Sequence, residues 1–236
     1  MQRTAQEAML YEQRLSPEEI RGLEIAGRQM LGPFLHMIRN LSIWSFTQQA
    51  LGRAPTYFWI RPSSTSGGYH PADEFVPGGL VVHTVKVCVL MQEFFRQPGV
   101  FSGEQQDILM SAAILHDLLS SGFPGRELRE ESTGFLRTDP LHMLYVREYL
   151  KGLKFETLDG DGTDRGAPKE RIAGTMPWFN DLMICIEGHY GPWSPVPQVR
   201  LDDEFVGWSG GAREWRNWVY LADYVASRGS VQVFLG

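Results

Sequence analysis

The chain has 236 residues, 43% of them apolar and 21% charged, with a net charge of −6; that is enough to bury a full core, in the composition of an ordinary globular protein. The acidic balance excludes a chain-wide basic footprint for duplex nucleic acid, which makes nucleic acid the less favoured partner. Two cysteines, Cys88 and Cys185, sit inside apolar runs rather than in a disulfide framework, no run reaches the ~20 apolar residues that span a bilayer, and the polar stretch 1–14, with Glu7 and Glu12, does not read as a secretory signal. A cytoplasmic protein without a membrane partner is expected, and no oligomeric state is assigned.

Helical periodicity dominates the chain. Ser16-Pro17-Glu18-Glu19 forms a capping box with proline at the first helical position, which predicts a helix start. A second helix is expected over Phe34 to Gln49 and a third over Leu80 to Arg96. Ser102-Gly103-Glu104-Gln105 caps a fourth, predicted to run to about Leu119. Asp139-Pro140 opens a fifth to about Leu153, Met176-Pro177 a sixth to about His189, and Ala212 to Ser227 forms the last. Long irregular stretches fall over Gly52 to Gly79, Lys154 to Thr175 and Gly191 to Gly211, with a short extended piece over Thr56 to Ile60. The fold class is all-α, with no set of strands large enough to build a sheet.

Onto these helices the chain places imidazoles and carboxylates that point inward. Five of its six histidines lie between residues 70 and 189. His83 shares a face with Val87, Leu90, Met91 and Phe94, and His116 continues the stripe Ile108, Ala112, Leu115, with Asp117 one position round. His142 leads Val146 and Tyr149, His189 ends the stripe Leu182, Cys185, Ile186, and Asp223 shares a face with Trp215, Val219 and Ala226. One such histidine alone is best read as a core imidazole bonded to a carbonyl, and His36 stays with that reading. Asp139 is simplest as a helix cap. Several helices each aiming one such group inward point to a shared partner, since buried polar groups need one. A divalent metal is that partner, and a nitrogen and oxygen donor set without thiolate suits Mn, Fe, Co, Ni, Zn or Mg. One ion is expected and two are allowed.

The order His83, then His116-Asp117, then Asp223 resembles the H…HD…D pattern of the HD-domain metal-dependent phosphohydrolases. Tyr69-His70-Pro71 followed by Gly78-Gly79-Leu80-Val81-Val82-His83-Thr84 is similar to the opening of one HD subgroup. Gly188-His189-Tyr190-Gly191-Pro192-Trp193 resembles its later HxGxW segment, and Leu221-Ala222-Asp223-Tyr224 its closing AD helix. That subgroup is similar to the HD domain of a Gram-positive 3′-5′ exoribonuclease. The resemblance runs from about Phe58 to Arg228. It implies an HD helical bundle over residues 56–236 with an N-terminal helical extension, 1–55, packed on it.

The resemblance also implies roles. His83, His116, Asp117 and Asp223 would hold one metal, and Asp117 would bridge to a second held at positions like His142 and His189. The chain departs from the pattern at Tyr190, where two-metal members often carry a second histidine, and at Asp139-Pro140, so either Asp139 or His142 serves the second ion. Asp117 and His116 would be catalytic, in the hydrolysis of a nucleotide or related phosphate ester or anhydride by a metal-activated water. Many HD proteins read HDxxK; here Ser120 stands at that lysine position. Arg126 and Arg129 would supply the phosphate-binding charge or belong to a solvated loop. Ser63, Ser64 and Thr65 would bond a phosphate or ribose or form a polar turn, and His70 is either an outer partner of the metal site or a substrate contact. The rival readings are a 3′-5′ single-strand nuclease and a metal- and nucleotide-binding HD module without turnover.

Two further signals point elsewhere. Asp159-Gly160-Asp161-Gly162-Thr163-Asp164 lacks the glycine and glutamate spacing of a calcium loop and reads as an acidic turn. Trp193, Trp208, Trp215 and Trp218 are assigned to core packing or a lid hinge rather than to base stacking.

Overall fold

The computed structural model describes residues 14–64, 70–132, 134–157, 169–195 and 212–228. Thr65, Tyr69, the acidic turn at 159–164 and Trp208 lie outside them. The described residues form α1 (Pro17–Leu35), α2 (Leu41–Gly52), α3 (Thr56–Ile60), α4 (Gly79–Phe95), α5 (Gly103–Leu115), α6 (His142–Leu150), β1 (Lys154–Thr157), β2 (Lys169–Ile172), α7 (Phe179–Glu187) and α8 (Ala212–Ser227). The fold is mostly helical, as the periodicity predicts. No helix of the described residues is long and apolar enough to cross a membrane.

Helix α5 is the axle of the bundle. Every residue from Asp107 to Leu115 is buried, the pattern of a helix apolar on all sides. It packs on α2, α4 and α7, while α8 lies across α4 and α7. Ser102 and Gln105 start it with the predicted reciprocal capping box. Helices α1 and α2 belong to the same apolar cluster as the rest: Leu31, Ile43, Phe46 and Ala50 are buried in it. Phe46 makes edge contacts with Phe155, Trp178 and Phe179, joining α2 to β1 and to the start of α7. Cys88 and Cys185 are free, buried thiols.

The structure corrects several of the predicted elements. The expected helix over Phe34 to Gln49 is broken between α1 and α2. There the buried Asp107 carboxylate accepts the amides of Arg39 and Asn40, both at 2.9 Å, and Asn40 Oδ1 caps α2 through Ser42 and Ile43. Two caps satisfy amides that a continuous helix would have bonded internally. Thr56 to Ile60 is helical rather than extended: Phe58 donates to the Pro55 carbonyl, and Tyr57, Phe58 and Trp59 are all buried, so burial overrides their strand propensity. The stretch after Lys154 carries a small antiparallel ribbon, with Phe155 opposite Arg171.

The fourth helix stops at Leu115 rather than Leu119, and residues 116–121 continue as successive turns. That change of path takes His116 and Asp117 off the helix and into the interior of the bundle. Helix α6 opens at His142, after the turn in which Asp139 Oδ1 accepts the Leu141 amide at 2.9 Å.

One glycine fixes the entry to α4. A β-carbon on Gly79 would stand 2.0 Å from the Glu74 carbonyl oxygen, so the 3-10 turn Ala72–Glu74 can seat on the helix only if this residue is glycine. Gly79→Ala is expected to lower stability by about 1–3 kcal/mol, the range for overpacking a tight contact. Chemical denaturation checks it; a loss below ~0.5 kcal/mol would mean the turn yields freely.

Candidate metal centre

Three histidines are held in one tautomer by one device. His116 Nδ1 donates to the Ala113 carbonyl at 2.8 Å, His142 Nδ1 to the Asp139 carbonyl at 2.7 Å, and His189 Nδ1 to the Ile186 carbonyl at 2.7 Å. Each acceptor lies three residues earlier, at a helix end or turn, and the Asp139 and Ile186 carbonyls also accept the backbone amide of the same histidine. With the proton fixed on Nδ1, each Nε2 presents a lone pair. All three face Asp117: His142 Nε2 lies 2.8 Å and His189 Nε2 3.7 Å from its Oδ1, and His116 Nε2 3.5 Å from its Oδ2.

This arrangement is incomplete as it stands. His116 Nε2 and His142 Nε2 are buried and have no hydrogen-bond partner among the described residues. His142 Nε2 and Asp117 Oδ1 stand 2.8 Å apart and attract only with a cation between them, either a proton on Nε2 or a metal ion. Burial alone would raise the Asp117 carboxyl, but His116, His142 and His189 around it hold it well below the usual carboxylate range. His189 is pulled down to about 4, first by burial and then by His142 and His116, so its Nε2 is a free donor atom at neutral pH.

A second group adjoins the first. His83 Nε2 meets Asp223 Oδ1 at 2.9 Å, and the rings of His83 and His116 approach edge to face, with centroids 5.6 Å apart. His83, His116 and Asp223 offer ligand atoms within 4.8 Å of one another, as do Asp117, His142 and His189. The adjacent residues His116 and Asp117, on the turns after α5, therefore serve neighbouring groups completed from α4, α6, α8 and the turn after α7. The chain has His and Asp groups positioned to hold metal ions. His142, rather than Asp139, offers the side chain to the second group; Asp139 is engaged with the Leu141 amide.

Behind His83 lies a partner that the sequence reading missed. Glu74 is fully buried; its Oε2 is 2.7 Å from His70 Nδ1 and 3.4 Å from His83 Nδ1, and its Oε1 accepts from Lys86 Nζ at 2.8 Å. Burial would raise this carboxyl, but His70 and then His83 and Lys86 hold it well below the ordinary range. Glu74, His70 and His83 also lie within ligand distance of one another. The Lys86 ammonium already neutralises that carboxylate, which makes Glu74 an outer charged partner of His83, 3.4 Å from its Nδ1. His70 thereby contacts the outer partner. Glu74→Gln is expected to weaken metal binding by about 10–100-fold, the usual cost of losing an outer-shell partner. Calorimetric titration with a divalent ion checks it, and unchanged affinity would remove Glu74 from the site.

Arg61 was also missed. It is fully buried, and its guanidinium donates to Ser120 Oγ at 3.1 Å, Ser121 Oγ at 2.7 Å and Thr138 Oγ1 at 2.7 Å. Ser120 is thus backed by a buried arginine. The bonds also tie the turns after Asp117 to the segment leading into His142. Ser64 is buried three residues after Arg61. Arg126 is exposed on a turn, and Arg129 donates to the Gly134 carbonyl at 3.1 Å; the structure brings neither into the converging groups. His36 caps the end of α1 and joins none of them. Tyr190 stacks on His189 with ring centroids 4.9 Å apart, and burial raises its hydroxyl well above the usual tyrosine range.

A signal for both missed residues exists in the sequence. Lys86 is the single charged residue between Gly79 and Met91, and Arg61 directly follows the apolar run Tyr57 to Ile60. A buried charge in such a place requires a partner. No protein-family model, curated protein or solved structure matches the chain.

Proposed function

We propose that the chain is a metal-dependent phosphohydrolase of the HD type, acting on a nucleotide or a related phosphate ester or anhydride. The observation that carries this reading is the convergence of three imidazole lone pairs on the Asp117 carboxylate, beside the His83–Asp223 pair. His83, His116, Asp117 and Asp223 would hold one divalent ion, and Asp117, His142 and His189 a second. Mn, Fe, Co, Ni, Zn and Mg all suit this donor set. Such an ion acidifies water and draws charge from phosphoryl oxygens.

The remaining chemistry falls to the chain. Asp117, ionised and flanked by the two groups, orients the attacking water and accepts its hydrogen bond. The Tyr190 hydroxyl, kept protonated by burial, is a donor for a phosphoryl oxygen. Arg61, bonded to Ser120 Oγ, would place a fixed positive charge behind the turns that follow Asp117.

The test is to load metal-depleted protein with each ion, count ions per chain, and assay phosphate release across a nucleotide panel. A His116→Ala, Asp117→Ala double variant that kept full metal content and full activity would overturn the reading. Ser120 in place of lysine, and Tyr190 in place of a second histidine, favour one alternative, a module that binds without turnover. Nucleotide binding with no phosphate release from any metal form would select it.

A further inference from the structure

Beside the metal centre the chain turns aromatic rings outward. Trp193 is 64% exposed, the most exposed of the large apolar side chains described. Its indole lies nearly parallel to the Tyr224 ring, 11° between planes and 5.8 Å between centroids, and it leans on Tyr220 at 6.0 Å. The Arg228 guanidinium sits 4.7 Å over the Tyr224 ring. Other tryptophans behave differently: Trp215 and Trp218, on the same helix as the tyrosines, pack against the core, with Trp218 on Phe94 and Phe101. Core packing, one of the two roles expected for these tryptophans, holds for those two and not for Trp193.

The shelf is built from the elements that deliver metal ligands. Tyr220, Asp223 and Tyr224 share one face of α8, at spacings of three and four. Trp193 lies four residues after His189, on the 3-10 turn Gly191–Trp193. Gly191 locks the two pieces together: its φ is +57°, and a β-carbon there would stand 2.4 Å from the Tyr220 ring. Only glycine lets that ring lie flush on the turn leaving the metal centre. The shelf is therefore a fixed rim of the site.

An open indole face beside a phosphate-binding centre selects a ligand that is flat and aromatic at one end and anionic at the other. An aliphatic or ribose phosphate has no aromatic plane to stack on it. We propose that Trp193, supported by Tyr220 and Tyr224, is the base-binding subsite, and that the substrate is a mononucleotide whose nucleobase stacks on the outer indole face while its phosphate meets the metal centre. This rests on the phosphohydrolase reading for where the phosphate lies, and goes beyond it by requiring a base.

The probes are adenosine 5′-monophosphate and ribose 5-phosphate, which share sugar and phosphate and differ by the base. Both are titrated calorimetrically into the metal-loaded wild type, Trp193→Ala and Trp193→Phe, with phosphate release followed in parallel. Base–aromatic stacking predicts that the wild type binds the nucleotide about tenfold tighter than ribose 5-phosphate. Trp193→Ala should bring the two within roughly threefold of each other, Trp193→Phe should restore most of the preference, and ribose 5-phosphate should bind all three proteins alike. Equal binding of both probes to the wild type, or a preference that survives Trp193→Ala, overturns the proposal. A tetra-adenylate that binds tenfold tighter than the mononucleotide overturns the choice of a mononucleotide. The two readings fail separately: a Trp193-dependent preference without phosphate release sinks hydrolysis and keeps the shelf, whereas release from both probes without preference sinks the shelf alone. Repeating the titrations on metal-free protein keeps the comparison decisive if no ion binds.

Discussion

Asp117→Asn is expected to remove both stabilisation by divalent metal and phosphate release, while the metal-free protein still folds. Among the described residues Asp117 is the one whose two carboxylate oxygens face different ligand atoms, Oδ1 toward His142 and His189 and Oδ2 toward His116. Asparagine keeps the shape and removes the negative charge that draws a cation between them. A ligand present at ~100 times its Kd stabilises the folded state by about 2.7 kcal/mol. For a chain of this size that corresponds to a rise in Tm on the order of 5–10 °C. The wild type should show this rise on addition of the ion, and Asp117→Asn should show almost none. Phosphate release should fall by more than the ~10–100-fold that an outer partner such as Glu74 would cost. Differential scanning fluorimetry with and without metal, read beside the phosphate assay, checks both. A variant that melts higher with metal, as the wild type does, would show that Asp117 is not the shared ligand.

The parts of the site that were legible in the sequence are those carried on regular helices or directly continuing one. His83 and Asp223 lie on apolar helical stripes and His116 follows the last residue of one, and periodicity is sufficient to show that they point inward. The groups that complete the site are carried by irregular backbone. Glu74 reaches His83 from a 3-10 turn seated against Gly79, and Arg61 reaches Ser120 across 59 residues of sequence. Neither pairing leaves a periodic trace. The same limit explains the misplaced helix between α1 and α2, where the break depends on Asp107, 67 residues beyond Asn40. The exposure of Trp193 was equally hidden, because an aromatic residue just beyond a helix end reads as core until its neighbours are known. Local pattern shows which face of an element is buried; it does not show which distant backbone group the buried face meets.

His83 leads to the second large effect, on the pH dependence of metal binding. Burial alone would lower its pKa, but the hydrogen bond to Asp223, followed by Glu74, pushes it up to about 10. The groups facing its ring are Asp223, Glu74, His70 and His116, with Lys86 behind Glu74. Without metal, His83 is therefore protonated at neutral pH, and an ion must displace that proton. Affinity at this group should rise about tenfold per pH unit from pH 7 and level off near 10, with one proton released per ion. His189, pulled down to about 4, is already neutral over that range and adds no proton. In the metal-free protein the raised His83 pKa contributes stability that is complete below about 6.5 and lost as pH rises through about 10. His189 acts in the opposite sense: its contribution is complete above about 6.5 and lost as pH falls through about 4. The gap in Tm between metal-bound and metal-free protein should widen steadily from pH 7 to pH 9.5. His83→Gln should flatten that slope, because the proton the ion displaces is gone. Melting series at fixed ion concentration, with proton release in weakly buffered titrations, measure both quantities, and a gap independent of pH would mean that His83 does not ligate the ion.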